Sequence, residues 1–148
     1  MFTPSELEVL SQAKSILASK LLTNDCLTSP VVVKDYCQTA IAHYEHEVFG
    51  VLFLNQRNYL IAFVELFRGT IDGASVYPRE VVKEALAQNA AAVIFTHNHP
   101  SGLCEPSSAD EAITKRLVSA LSMIDIRVLD HVIVGVGESV SFAERGLL

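Results

Sequence analysis

The sequence has few cysteines, and their spacing does not suit a framework of bonds between them. Cys26, Cys37 and Cys104 make an odd number and show no CxxC spacing. Disulfide scaffolds and four-cysteine zinc sites need paired or clustered cysteines. We therefore exclude both classes and expect reduced thiols without a special role. Cys104 stands out only because it lies between His99 and Asp110.

Basic residues and long apolar runs are also scarce. Eleven lysines and arginines stand against 17 aspartates and glutamates, which gives a formal net charge of -6. A nucleic-acid binder needs a basic surface, so this balance argues against a general polyanion binder. Apolar runs stay far below the roughly 20 residues of a membrane-spanning helix, and the first 20 residues do not resemble a signal peptide. We expect a cytoplasmic protein without a membrane partner.

The sequence does contain enough apolar material for one folded domain. Half of its 148 residues are hydrophobic and 19% are charged, as in globular domains. Apolar periodicity and turn residues predict helices over 4–21, 30–44, 78–89 and 108–123, and strands over 48–54, 59–67, 91–96 and 127–136. In the first helix one face, expected to be the buried one, is traced by Leu7, Leu10, Ala13, Ile16, Leu17 and Lys20. The alternation predicts an α/β or α+β sandwich around one mixed sheet.

One short motif carries most of the chemical information. Residues 96–100 read Thr-His-Asn-His-Pro, and with Ser107 and Asp110 they form the pattern H-x-H-x7-S-x2-D. Side chains two apart on a strand project to the same face, so His97 and His99 can reach one ion. If Ser107 caps the next helix, the Asp110 carboxylate lies in its first turn. Three such ligands around Zn²⁺ leave one position for water, as a hydrolytic site requires.

Each of these residues also has a structural interpretation. The two histidines can be ordinary loop residues, and Asp110 can complete a capping box with Ser107. The two roles of Asp110 are compatible, because one carboxylate oxygen can cap while the other binds metal. The Ser107 hydroxyl can likewise cap the helix or donate a hydrogen bond to an oxyanion, and capping is the simpler interpretation.

A hydrolytic zinc site also needs a general base close to the water. Glu47 opens an apolar strand, where packing explains a carboxylate poorly. Glu45 competes with it, because residues 45 and 47 would face the same side of an extended segment. Periodicity does not separate the two, and simple surface placement is the alternative for both.

Together these residues resemble the JAMM motif of the MPN-type (JAB) metalloproteases, and in particular their bacterial RadC-type branch. The resemblance extends over about 45–148 and rests on the string His-Asn-His-Pro-Ser-Gly and on segments at 69–70, 76–80, 106–110 and 130–134. It implies a cytidine-deaminase-like, three-layer α/β domain over 45–148, in which helices flank a mixed central β-sheet. A helical segment over 1–44 precedes this domain.

The resemblance also implies a reaction and the residues that perform it. One Zn²⁺ per chain would be held by His97, His99 and Asp110. The family's E-x-x-G pattern is met by Glu47 and Gly50, which makes Glu47 the implied general base, and Ser107 takes the position that assists the oxyanion. The implied reaction is hydrolysis of a peptide or isopeptide bond in a protein or peptide substrate.

The match leaves other functions open. Longer RadC-type proteins carry an extra helix-hairpin-helix region, and the residues before 45 contain no glycine-bearing hairpin of that kind. A nucleic-acid partner is therefore not expected, although a DNA-repair-associated factor stays an alternative, as does a non-catalytic metal-binding interaction module. Binding of ubiquitin is not expected of so short a domain. Formation of a homo-oligomer is left open.

Secondary residues also have two interpretations each. His131 belongs to the Asp-His-x-Ile-Val segment that strengthens the resemblance. It can orient a metal ligand from outside the coordination sphere, or it can be a buried histidine bonded to the backbone. Arg79 and Glu80 open a predicted helix, either as a solvated pair or as residues that shape the cleft.

Overall fold

The computed structural model describes residues 1–21, 29–69 and 75–148, and the side chains of all of these except residues 20 and 21. Within these ranges the elements are α1 (Pro4–Leu21), α2 (Pro30–Ile41), β1 (Val48–Leu54), β2 (Leu60–Arg68), α3 (Pro78–Ala87), β3 (Ala92–Asn98), α4 (Ser108–Ser122), β4 (Arg127–Val134) and β5 (Ser139–Ser141). Cys26 and most of the loop between β2 and α3 lie outside the described residues.

The helices begin where the capping signals predict. Thr3 and Glu6 form a capping box: the main-chain N of Thr3 donates to Oε2 of Glu6 at 2.7 Å, and the N of Glu6 donates to Oγ1 of Thr3 at 3.3 Å. Helices α2 and α3 start at Pro30 and Pro78. Proline suits a first turn because its missing N–H has no partner there in any helix.

The described strands form one mixed sheet in the order β2-β1-β3-β4-β5. Strand β1 pairs antiparallel with both β2 and β3, β3 pairs parallel with β4, and β4 pairs antiparallel with β5. Because β3 and β4 run in parallel, their C-terminal ends lie at the same edge of the sheet. The antiparallel strand β1 begins at that edge, where Phe49 pairs with His97.

Alternate residues of the central strands fill two separate cores. On one face α2 packs on Val48, Leu52 and Ile94; on the other, α3 and α4 pack on a core that includes Val51 and Phe95. Because successive residues point to opposite faces, each central strand contributes to both cores, and the sheet is buried on both faces. The expected α/β class and three-layer arrangement are confirmed. The boundary between residues 44 and 45 stays a prediction.

Gly50 allows β1 and β2 to approach closely near the beginning of β1. A Cβ atom at this position would lie 2.6 Å from Cε2 of Phe63, on β2, which is too close for a carbon contact. The β1–β2 register also shifts between Phe49 and Gly50. Any side chain in place of the glycine of the E-x-x-G pattern, three residues after Glu47, would therefore force the Phe63 ring to move.

The prediction for the buried face of α1 is wrong. The error is confined to part of that face: Leu7 and Ile16 are 43% and 60% exposed, whereas Leu17, from the same predicted face, packs against the core together with Ala18. The stripe of apolar residues on α1 is wider than the contact with α2, so the periodicity alone did not locate the contact face. No helix in the described ranges is long and apolar enough to cross a bilayer.

Candidate metal centre

Three elements converge at one edge of the sheet and bring the motif residues together. Strand β3 runs to Asn98, further than predicted, so His97 lies inside it. His99 follows at once, and its main-chain N donates to the carbonyl of Val134 at the end of β4, at 2.9 Å. Helix α4 begins at Ser108, which places Asp110 in the first turn. The pairing ends before Pro100, as expected.

The ligand atoms have the spacing that a tetrahedral zinc site needs. His97 Nε2 lies 3.0 Å from His99 Nε2, and these nitrogens lie 3.2 and 3.3 Å from Oδ1 and Oδ2 of Asp110, respectively. Ligands about 2.0–2.1 Å from a tetrahedral Zn²⁺ are separated by about 3.3 Å. The distance between the two nitrogens, and the distance from each nitrogen to its nearer carboxylate oxygen, are close to this value. With one ligand atom taken from each residue, the three atoms lie within 4.8 Å of one another, and among the described residues they form the group that could hold one ion.

Asp110 combines the capping role with the ligand position. Its Oδ2 accepts a hydrogen bond from the main-chain N of Ser107 at 2.9 Å, and its own N donates to Oγ of Ser107 at 3.1 Å. The capping box predicted for these two residues is confirmed. Oδ1, which takes no part in the box, lies on the side of His97. The capping oxygen Oδ2 also lies 3.3 Å from Nε2 of His99, so the assignment of one oxygen to the cap and the other to a metal stays a prediction.

The electrostatics keep the Asp110 carboxyl ionised. Burial by itself raises its pKa, but hydrogen bonds from His97 and His99 outweigh burial and hold the pKa far below the usual range. The hydrogen bond between His99 and Asp110 also raises the pKa of His99. Burial opposes this effect, and the negative charge of Glu47 raises the pKa by a smaller amount. An anionic oxygen next to two imidazoles is the ligand set that divalent zinc favours.

Each histidine directs Nε2 toward the centre and uses Nδ1 elsewhere. Nδ1 of His99 lies 2.7 Å from the carbonyl oxygen of Leu103 and donates to it. Nδ1 of His97 lies 2.7 Å from Nε2 of His131. Metal-binding histidines commonly donate their second N–H to such partners, which fix the ring orientation.

His131 contacts side chains rather than the backbone through its ring. Besides His97, its Nδ1 lies 2.6 Å from Oγ1 of Thr114. The interpretation of His131 as a backbone-bonded histidine is therefore wrong, and the contact with a ligand supports the other one. Thr114 was not predicted. The signal was a threonine on the apolar stripe of α4, four residues after Asp110 and three before Leu117.

Glu47 and Glu45, which periodicity did not separate, lie in different places. The chain bends at residues 45 and 46 and is not extended there, so the assumption of a shared face is wrong. Glu45 is exposed. Glu47 is half-buried and lines a cleft of 190 Å³ together with His97 and Asp110, between walls that include Phe49, Val76 and Ile113.

Asn98 fixes the segment that carries Glu47. Its side chain points away from the two histidines, as expected, and is buried. Its Oδ1 accepts from the main-chain N of Val48 at 2.7 Å, and its Nδ2 donates to the carbonyl of His46 at 3.0 Å. These bonds hold the residues on either side of Glu47 against the strand that carries the histidines.

Other residues singled out in the sequence lie outside the ligand set. Arg79 and Glu80 are exposed, and Glu80 pairs with Lys83 at 3.5 Å, which fits a solvated surface pair. Cys104 is buried, and its thiol donates to Oε1 of Glu138 at 3.0 Å. Burial, followed by this bond, raises the pKa of the thiol, which disfavours the thiolate that a metal needs.

Comparisons with known proteins agree with the site. A family model described as a RadC-like JAB domain matches residues 27–147. The chain is 61% identical over 140 residues to a UPF0758 protein of Cellvibrio japonicus, a match that covers 95% of this chain and 62% of the relative. It is 59% identical over 139 residues to a UPF0758 protein of Nitrosococcus oceani, covering 94% of this chain and 62% of the relative. The chain thus spans about 62% of the length of these relatives.

Proposed function

The chain belongs to the RadC-like JAB domain family, and from this premise and the metal centre we propose that it is a zinc-dependent hydrolase of a peptide or isopeptide bond. The observation that carries the proposal is the convergence of His97, His99 and Asp110: the two Nε2 atoms lie 3.0 Å apart, and each lies within 3.3 Å of an Asp110 carboxylate oxygen. A carboxylate in the same cleft adds the second requirement of such a site, a general base.

The types of the three ligands support zinc as the metal. Two imidazoles and one carboxylate leave a fourth tetrahedral position, the arrangement of hydrolytic rather than structural zinc sites. Zn²⁺ bound there would act as a Lewis acid and would lower the pKa of a coordinated water from about 15.7 to about 7. Other divalent ions also accept these ligands, so zinc is part of the proposal.

The protein's own groups would supply proton transfer and orientation. The Glu47 carboxylate would take a proton from the attacking water and pass it to the nitrogen of the leaving amine. Ser107 would donate a hydrogen bond from its hydroxyl to the developing oxyanion and keep its proton. The hydroxyl is free to do so because, in the capping box, its oxygen accepts from Asp110 N and does not spend its proton. Stabilisation of the oxyanion by Ser107 is proposed in addition to the observed capping role.

The test measures metal content and cleavage in the same preparations. The wild-type chain, Glu47→Gln and the matched control Glu45→Gln are analysed for zinc and incubated with a library of fluorescence-quenched peptides and isopeptides. We expect about one zinc per chain in all three, cleavage by wild type and Glu45→Gln, and a loss of about 10²–10⁴-fold in Glu47→Gln.

Two results would contradict the proposal in different ways. Cleavage by Glu47→Gln at the wild-type rate would show that Glu47 is not the general base. Full zinc content without cleavage of any library member by the wild type would favour a non-catalytic metal-binding interaction module. A protein or peptide partner and a cytoplasmic location are parts of the same proposal.

A further inference from the structure

A chain of buried hydrogen bonds connects one candidate ligand with the main chain of another. Nδ1 of His97 lies 2.7 Å from Nε2 of His131, and Nδ1 of His131 lies 2.6 Å from Oγ1 of Thr114. Thr114 donates from Oγ1 to the carbonyl oxygen of Asp110 at 2.7 Å. The three side chains are between 0% and 2% exposed, so water does not replace any of these bonds.

One order of the protons follows when Thr114 donates to Asp110. A carbonyl only accepts, so in this order the single hydroxyl proton of Thr114 is used on Asp110, and the Thr114 oxygen accepts from Nδ1–H of His131. A neutral His131 then has a lone pair on Nε2 and accepts from Nδ1–H of His97. His97 is left with its Nε2 lone pair directed at the centre, as a metal ligand requires.

The opposite order of protons is compatible with the same distances but not with a metal. In that order Nε2–H of His97 donates to Oδ1 of Asp110, 3.2 Å away, Nε2–H of His131 donates to Nδ1 of His97, and the Thr114 hydroxyl donates to Nδ1 of His131 instead of the Asp110 carbonyl. Only the first order leaves Nε2 of His97 free. We infer that Thr114 and His131 are positioning residues that set the proton order of His97 for metal binding. The inference rests on the metal site of the proposed function.

Aromatic packing restricts rotation of the His97 and His131 rings. Phe142 stacks on His131 with ring centroids 4.7 Å apart, and Phe49 stacks on His97 at 6.1 Å. Phe95 contacts the edge of His131 at 5.9 Å. Phe49 and Phe142 thus each cover one face of an imidazole, and we expect metal binding to change the placement of the protons rather than the orientation of the rings.

Thr114→Val and Thr114→Ser form the matched pair that tests the inference. Valine keeps the shape and removes the hydroxyl, so Nδ1–H of His131 has no acceptor in the metal-bound form. In the metal-free form His131 can carry its proton on Nε2 instead, which places a lone pair rather than an N–H against the valine methyl. The cost therefore falls mainly on the metal-bound form.

The first readout is metal affinity, measured by Co²⁺ absorption titration and by competition with Zn²⁺. We expect Thr114→Val to bind about 10–100-fold more weakly than wild type, and Thr114→Ser to stay within about threefold. Thermal unfolding of the metal-free proteins shows whether valine acts only on the fold. The second readout is the ¹⁵N spectrum of the zinc-loaded wild type, in which His131 should carry its proton on Nδ1.

The outcomes separate this inference from the proposed function. Equal metal affinity of Thr114→Val and wild type, or a proton on Nε2 of His131 in the zinc-loaded protein, overturns the inference alone. A wild-type chain that binds neither Co²⁺ nor Zn²⁺ overturns the proposed function and the inference with it. Weak binding in Thr114→Val with rescue in Thr114→Ser supports both.

Discussion

Asp110 makes two different contributions, and two substitutions can separate them. Asp110→Asn keeps an oxygen of the same shape to accept from the N of Ser107, so the capping box persists, but it removes the anionic ligand. Ser107→Ala leaves the carboxylate and removes the hydroxyl that accepts from the N of Asp110 at 3.1 Å. The first change should act mainly on metal binding and the second mainly on the metal-free fold.

The expected sizes differ enough to be measured as shifts in melting temperature. Free zinc at 100 times the dissociation constant stabilises a protein by about 2.7 kcal/mol. At about 2–4 °C per kcal/mol for a chain of this size, zinc should raise the wild-type Tm by about 5–11 °C. Loss of a direct ligand should weaken binding at least about 100-fold, which leaves about 0.4 kcal/mol, or 1–2 °C, at the same zinc concentration.

Ser107→Ala should show the reverse pattern. Loss of a cap hydrogen bond costs about 0.5–2 kcal/mol, so the metal-free Tm should fall by a few degrees while the zinc-dependent shift stays close to that of wild type. The assay is differential scanning calorimetry of metal-free and zinc-loaded protein at pH 8. The reasoning is refuted if Asp110→Asn keeps the full zinc shift, or if Ser107→Ala loses it.

Two further predictions concern the segment that carries Glu47. Asn98→Ala removes the acceptor of the buried Val48 N–H and should lower the free energy of unfolding by about 1–3 kcal/mol in urea titrations. Its zinc affinity should change little, and a large loss of zinc would show that Asn98 acts on the ligands instead. Gly50→Ala places a methyl group 2.6 Å from the Phe63 ring and should cost about 1–3 kcal/mol. Adding Phe63→Leu should recover part of that loss, and strictly additive costs in the double variant would contradict the close contact.

Local sequence signals were reliable where a short-range rule decides the structure. The helix starts at Pro4, Pro30 and Pro78 and the capping box of Ser107 and Asp110 all depend on residues within a few positions of each other. The same holds for the proximity of His97 and His99, since two residues on one strand face need no distant partner. Asp110 could be added because its place in a first turn was itself a local prediction.

Contacts between distant segments could not be read in the same way. The bend at residues 45 and 46 separates Glu45 from Glu47, but it is held by Asn98, some 50 positions away. The exposed face of α1 depends on which residues α2 covers. Thr114 and His131 meet only because α4 packs beside β4.

The amino-acid sequence by itself determined the ligand types, their spacing along the chain and the local elements that carry them, because capping and strand alternation act over a few residues. Periodicity left open which glutamate enters the cleft; the family resemblance implied Glu47, and the tertiary structure shows it there. The tertiary structure alone decided what lies behind the ligands. Those facts depend on the packing of β1, β3, β4 and α4 around one edge of the sheet, where chain segments far apart in sequence come within hydrogen-bond distance.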